Sequence, residues 1–171
     1  MADIRREQPD DVAAIRNVND RAFGRTVEGA VIEQLRGASE GLVSLVAVVE
    51  GAVVGHVLFS PVRLEGEDRG ERSGMGLAPL AVLPEWQGRG IGSELVRAGL
   101  AVLRQTPCPF VVVLGHPGYY PRFGFEPAAG HGIRCKWDVP DDTFMILVLD
   151  ETSMRGASGV AHYLSEWDAA T

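Results

Sequence analysis

Residues 80–105 read LAVLPEWQGRGIGSELVRAGLAVLRQ. An apolar run gives way to a short polar turn and then to a long amphipathic stretch, so the spacing predicts a buried strand feeding a helix. Gly88, Arg89, Gly90, Ile91 and Gly92 occupy the turn between them. The first turn of a helix presents backbone N–H groups with no acceptor inside the helix, and the helix dipole adds partial positive charge there. Glycines let a ligand approach that backbone closely, so phosphate oxygens can be held without a lysine. The turn is therefore read as a pyrophosphate site.

On the far side of the turn, Ile91, Leu95, Ala98 and Val102 line one side of the helix, and Val96, Leu100 and Leu103 widen that stripe. Gly99 inside the helix costs about 1 kcal/mol against alanine. Arg97 and Arg104 are placed facing solvent. After Pro107 and Pro109, Phe110–Leu114 is an unbroken apolar run, the signature of a strand covered on both faces. Strand, helix and strand in this order form a right-handed crossover, which makes the two strands parallel.

Working towards the N-terminus, Met75–Leu83 is a long strand ended by Pro84, and Leu64–Gly74 is read as an exposed turn. Leu42–Glu50 and Ala52–Arg63, valine-rich and joined at Gly51, form a β-hairpin. Asp3–Glu7 is an edge strand. Pro9 and the acidic residues after it open a helix that ends near Phe23-Gly24, and a second helix runs from Thr26 or Glu28 to Leu35, stopped by Gly37. Working towards the C-terminus, residues 115–125 form a loop with one helical turn, and Ile133–Trp137 and Phe144–Leu149 form a final pair of strands. The tail from Thr152 carries only a weak apolar pattern. The expected architecture is a single-domain mixed α/β fold, mostly antiparallel with one parallel crossover. Ligands in such sheets bind beyond the carboxyl ends of diverging strands, here at Leu80 and Val111.

The length of 171 residues fits one domain, and 46% apolar content supports a core. No apolar run approaches the ~20 residues of a membrane span. The opening MADIRREQPDD lacks the apolar centre of a signal peptide, so a cytoplasmic protein is expected. Cys108 and Cys135 make no disulfide framework and read as reduced thiols. The net charge of −7 argues against a nucleic-acid surface, which needs a basic face, and is compatible with a cationic amine.

Two pyrophosphate classes fail on residues. A P-loop needs Gly-Lys-Ser/Thr, and this turn reads Gly-Ile-Gly-Ser. A dinucleotide fingerprint needs a third glycine where Ser93 stands and a carboxylate after the next strand, where Leu114-Gly115-His116 stands. The third class weighed is a coenzyme A site, and that reading rests on a resemblance.

Gln87-Gly88-Arg89-Gly90-Ile91-Gly92 resembles the Q/R-x-x-G-x-G/A signature of the GNAT superfamily of acyl-CoA-dependent N-acetyltransferases. Leu80-Ala81-Val82-Leu83-Pro84-Glu85 resembles its fourth strand, and Tyr120-Pro121-Arg122-Phe123-Gly124-Phe125 its Y-x-x-x-G-F segment. The resemblance implies a GNAT-like fold in which the fourth and fifth strands splay to hold the cofactor. Acetyl-CoA is the implied co-substrate, with no metal. Amides of Gln87, Gly88, Arg89, Gly90, Ile91, Gly92 and Ser93 hold the pyrophosphate. The backbone of Leu80, Ala81 and Val82 takes the pantetheine arm. Tyr120 is the implied donor to the departing thiolate.

Several side chains around these motifs carry alternatives. Phe123 and Phe125 fill the core or line the cofactor slot, and Tyr119 is read as packing. Glu28, Glu33, His56 and His116 are unranked candidates for the general base, with His56 more at home as a structural residue of its apolar strand. An asparagine common after the family's fifth strand is missing, with Gly115-His116-Pro117-Gly118 in its place. His131 and Cys135 have weak metal-ligand spacing. Trp137 and Trp167 belong to the core or a substrate cleft.

The implied reaction is acetyl transfer to a primary amine of a small molecule or peptide, by direct attack in a ternary complex. The competing reading is a non-catalytic acyl-CoA-binding regulatory module on the same fold. Neither nucleic acid nor membrane is an expected partner, and the sequence leaves oligomeric state, a homodimer included, open.

Overall fold

The computed structural model describes residues 1–66 and 70–171. Its strands and helices run in chain order as β1 (Asp3–Arg6), α1 (Val12–Phe23), α2 (Val27–Ala38), β2 (Val43–Val49), β3 (Ala52–Glu65), β4 (Glu71–Val82), α3 (Ile91–Arg104), β5 (Phe110–Leu114), β6 (Glu126–Pro127), β7 (Ile133–Cys135), β8 (Phe144–Val148), α4 (Glu151–Met154) and β9 (Gly159–Tyr163). The chain divides into two compact units. One comprises Met1–Phe59, Pro79–Val102 and Ser165–Thr171, and the other Ser60–Ala78 and Leu103–Leu164. β3, β4 and α3 each contribute residues to both.

In the first unit β1 and β2 pair antiparallel from Asp3↔Val48 to Arg6↔Leu45, and β2 and β3 pair from Val43↔Phe59 to Val49↔Ala52. The hairpin turn is Glu50-Gly51, both with positive φ (50° and 79°), the conformation that matches the twist of two antiparallel strands. The apolar stripe of α3 packs on β3 through two close approaches. A Cβ on Gly55 would lie 3.0 Å from Leu95 Cδ1, and one on Gly99 only 2.1 Å from Phe59 Cε1. Gly99 thus trades helix propensity for a seat against a fully buried phenyl ring. α2 runs on through Gly37, which was expected to stop it, and ends at Ala38 with Ser39 extended. Glycine lowers helix propensity without forbidding the helix.

In the second unit β4 and β5 pair in parallel, from Met75↔Val111 to Leu77↔Val113. That register ends at Leu77, while β4 itself continues to Val82. Phe110, Val111, Val112 and Val113 are almost fully buried, as expected of a strand covered on both faces. β8 pairs antiparallel with β5, and β6 with β8.

Three sequence expectations change here. Leu64–Gly74 is not an exposed turn throughout: β3 extends to Glu65, Leu64 is buried, and β4 begins at Glu71. Residues 67–69 of that stretch lie outside the described residues. Residues 133–137 and 144–149 do not pair with each other, because β7 pairs in parallel with β9. The tail is β9, which also pairs antiparallel with β3 from Val62↔Tyr163 to Glu65↔Val160.

Candidate active site

In the first unit Pro84–Trp86 makes a 3-10 turn directly after β4, because a proline cannot continue the ladder. The Trp86 amide donates to Leu83 O (2.8 Å), and Gln87 Nε2 reaches back to Val82 O (2.9 Å). Gly88 and Gly90 have φ of 75° and 84°, a region that side chains resist. Nothing lies within 4 Å of where their Cβ atoms would stand. Residues Gln87–Gly90 are exposed.

The first helical bond of α3 runs from Glu94 N to Gly90 O (3.0 Å). Helix geometry therefore leaves the amides of Ile91 and Gly92 without an acceptor inside the helix. The Arg89 side chain folds back, its Nη2 donating to Glu85 O (3.2 Å) and its Cζ lying 4.7 Å from the centroid of the Trp86 ring. Glu85 is in turn paired with Arg21 at 2.8 Å. What the turn offers a ligand is main chain. Arg89, Gly90, Ile91 and Ser93 line an open cleft of about 640 Å³ that also includes Trp86 and Glu94. Of the remaining expected contacts, Ala81 is buried, Leu80, Val82 and Gly92 are half-buried, and Gln87 and Gly88 stand at the exposed turn.

In the second unit Tyr120–Phe123 forms a single 3-10 turn, closed by the Gly124 amide on Pro121 O (3.0 Å). The Tyr120 ring is buried and meets Tyr119 edge-on at 5.1 Å, Phe125 at 5.8 Å and Phe123 at 6.3 Å. Burial pushes its phenol well above the ordinary value, and Tyr119 adds to the shift. Arg122 anchors the loop, donating from Nε to Tyr119 O (2.8 Å) and covering the Tyr119 ring at 4.4 Å. Phe125 is core, and Phe123 is half-buried against Tyr119 at 5.3 Å.

The candidates for the general base occupy different settings. His56 is fully buried: Ser44 Oγ donates to Glu7 Oε1 (2.6 Å), so it accepts from His56 Nε2–H (2.9 Å), and Asn19 Nδ2 donates to His56 Nδ1 (3.1 Å). Burial holds its imidazole down to about 4, and both ring nitrogens are engaged. Glu28 is ion-paired with Arg25, and Glu33 with Arg16 (3.0 Å). His116 is exposed, and its carbonyl accepts the Tyr119 amide (3.0 Å).

His131 pairs with Glu126 at 2.9 Å, and no group of three or more His, Cys, Asp or Glu among the described residues could hold a metal ion. Trp167 is buried, whereas Trp137 packs on Tyr163 with ring centroids 5.0 Å apart. Tyr163 enters the sequence reading only as one residue of the weak apolar pattern in the tail. The alternation of buried and half-buried positions along Gly159–Tyr163 is the signal that marks its strand.

A mixed sheet with a parallel β4–α3–β5 crossover, an open glycine turn at the helix start and a Tyr-x-x-x-Gly-Phe segment is the arrangement of an acetyltransferase. The chain belongs to the GNAT family of acetyltransferases, whose family model matches residues 11–125. It is 37% identical over 163 residues to the uncharacterized N-acetyltransferase YhbS of Escherichia coli, covering 94% of this chain and 95% of that protein. It is 42% identical over 135 residues to the uncharacterized N-acetyltransferase YjhQ of E. coli, covering 77% and 74%. The crystal structure of YhbS in complex with CoA superposes with a TM-score of 0.90 at 36% identity, covering 98% of this chain and 92% of that one. A GNAT family acetyltransferase from Brucella melitensis in complex with acetyl-CoA superposes with a TM-score of 0.80 at 36% identity, covering 98% and 99%.

Proposed function

We propose that this chain acts as a single acetyltransferase domain in the cytoplasm, moving the acetyl group of acetyl-CoA onto a primary amine of a small molecule or peptide. The observation that carries this reading is the exposed turn at Gly88–Gly90, whose two left-handed glycines stand at the start of α3. Amides at a helix start are suited to a diphosphate. The CoA and acetyl-CoA held by the two structural neighbours support the same ligand here.

The pantetheine arm is assigned to the backbone of Leu80–Val82, the part of β4 beyond its register with β5. An amide there polarises the thioester carbonyl, a contribution of about 3 kcal/mol in comparable acyl-transfer sites. Tyr120 donates to the sulfur. Thiols ionise near ~8.5 and tyrosine near ~10, and burial raises Tyr120 further. Full transfer of its proton is therefore uphill by more than about 2 kcal/mol, and its part is that of a hydrogen-bond donor.

Direct attack by the amine is supported by the two thiols. Burial pushes both Cys108 and Cys135 above the ordinary thiol value, the opposite of an activated nucleophile. The test is release of free thiol from acetyl-CoA on incubation with a panel of amines: a polyamine, an aminoglycoside, an amino acid and a peptide N-terminus. Turnover with one of them above the hydrolytic background is expected. Tight binding of acetyl-CoA with no transfer to any of them would favour a binding module.

A further inference from the structure

Gly90, Ser93, Glu94 and Arg97 all line the open cleft of about 640 Å³ beside the glycine turn. Their spacing of i, i+3, i+4 and i+7 is that of one helix face. The cleft therefore starts at the turn and continues along the first two turns of α3. Trp86 and Val49 line it too, and all these residues belong to the first unit. Its volume lies within the range of about 300–1,000 Å³ usual for small-ligand sites, so it has room for more than the diphosphate assigned to its mouth.

The charges along the cleft are unequal. Arg89 and Arg97 face a single carboxylate, Glu94, among the described residues that line it, and the helix dipole adds partial positive charge. This is a positive patch on a chain of net charge −7. Arg89 is committed elsewhere, its Nη2 donating to Glu85 O (3.2 Å) and its guanidinium covering the Trp86 ring at 4.7 Å. Arg97 is exposed and stands about 9 Å along the helix axis from Ile91. Long side chains on a helix lean towards its N-terminus, which directs Arg97 back along the cleft towards the glycine turn.

We infer that this cleft takes the adenosine end of coenzyme A and that Arg97 contacts its 3′-phosphate, so that Arg97 is the residue by which the protein tells coenzyme A from 3′-dephospho-coenzyme A; this rests on the coenzyme A reading of the glycine turn. The 3′-phosphate is one ribose away from the diphosphate, and a phosphomonoester carries a charge of about −1.5 to −2 at neutral pH. A guanidinium matches such a group with two parallel N–H donors. Trp86 and Val49 supply apolar surface for the adenosine.

Calorimetric titration of the full chain with coenzyme A and with 3′-dephospho-coenzyme A tests this without any acceptor amine. The native protein should bind coenzyme A about tenfold more tightly. Arg97→Gln should remove that advantage, weakening coenzyme A and leaving 3′-dephospho-coenzyme A unchanged. Its thermal midpoint should hold, because the residue is exposed. Glu94→Gln should enlarge the advantage, an opposite sign that a loss of packing would not produce. Equal affinities of the native protein for the two ligands overturn the inference and leave the reading of the glycine turn standing. So does an advantage that survives Arg97→Gln, and Arg89→Gln, run alongside, shows whether that residue holds the phosphate instead. Equal weakening of both ligands by Arg97→Gln also overturns it, since the contact would then be to a part they share. Failure of both ligands to bind the native protein overturns the inference and the coenzyme A reading together.

Discussion

Gly115 and Tyr120 meet at a separation that leaves no room for a methyl group: a Cβ on Gly115 would stand 2.4 Å from Tyr120 Cε2. The Gly115 amide is tied to Thr143 O at 2.9 Å, so the backbone cannot retreat without losing a bond. Gly115→Ala should therefore displace the Tyr120 ring. Overpacking of this kind costs about 1–3 kcal/mol, and turnover should fall about tenfold or more with little change in acetyl-CoA affinity. Steady-state kinetics beside calorimetric titration check this. Unaltered turnover would mean that the ring position does not matter.

Tyr120→Phe removes the donor and keeps the ring. A hydrogen bond to a charged partner is worth about 1.5–3 kcal/mol, so kcat should fall by about ten- to a hundredfold while the Kd for acetyl-CoA stays within a small factor. An unchanged kcat removes Tyr120 from the reaction.

Gly99→Ala tests how α3 is seated. The new methyl would lie 2.1 Å from Cε1 of Phe59, a fully buried ring. The expected destabilisation is about 1–3 kcal/mol, against a helix-propensity gain of up to about 1 kcal/mol. The thermal midpoint should fall by several degrees, and a rise would show that Phe59 yields freely.

His56 gives the fold a pH signature. Burial lowers its imidazole from the ordinary 6.5 to about 4, so between those values the unfolded chain binds a proton that the native state refuses. The contribution is fully present above about 6.5 and is lost as pH falls towards 4, up to about 3 kcal/mol. The groups facing the ring are Asn19 from α1, Ser44 from β2, and Glu7 and Arg36 beyond them. Burial pushes Glu7 up, but hydrogen bonds from Arg36 and Ser44 outweigh it and hold the carboxyl below its ordinary range. Glu7 therefore loses its contribution in more acidic solution. Urea unfolding across this window should show a slope that His56→Gln flattens, and equal slopes would contradict the assignment.

The crossover was legible because its signals are strong and local. The stripe of α3 and the unbroken Phe110–Leu114 run each have only one reading, and the parallel pair follows from chirality. The Tyr120 segment stood out for its glycines and prolines. What the sequence hid depends on distant partners. β9 carries Gly159 and His162 within a short alternation, and its partners, β3 and β7, lie far away in the chain. The strand that carries Tyr163 was invisible for that reason, and only a weak apolar pattern marked it. The His56 network is equally non-local, joining α1, Glu7 just after β1, β2 and β3 through side chains that look unremarkable one at a time.

The most direct test of the account is amide hydrogen exchange at residues 87–94 with and without acetyl-CoA. Saturating acetyl-CoA should protect the amides from Gly88 to Ser93, and desulfo-coenzyme A should protect them equally because it carries the same diphosphate. Unchanged exchange across this turn while acetyl-CoA is demonstrably bound would contradict the account.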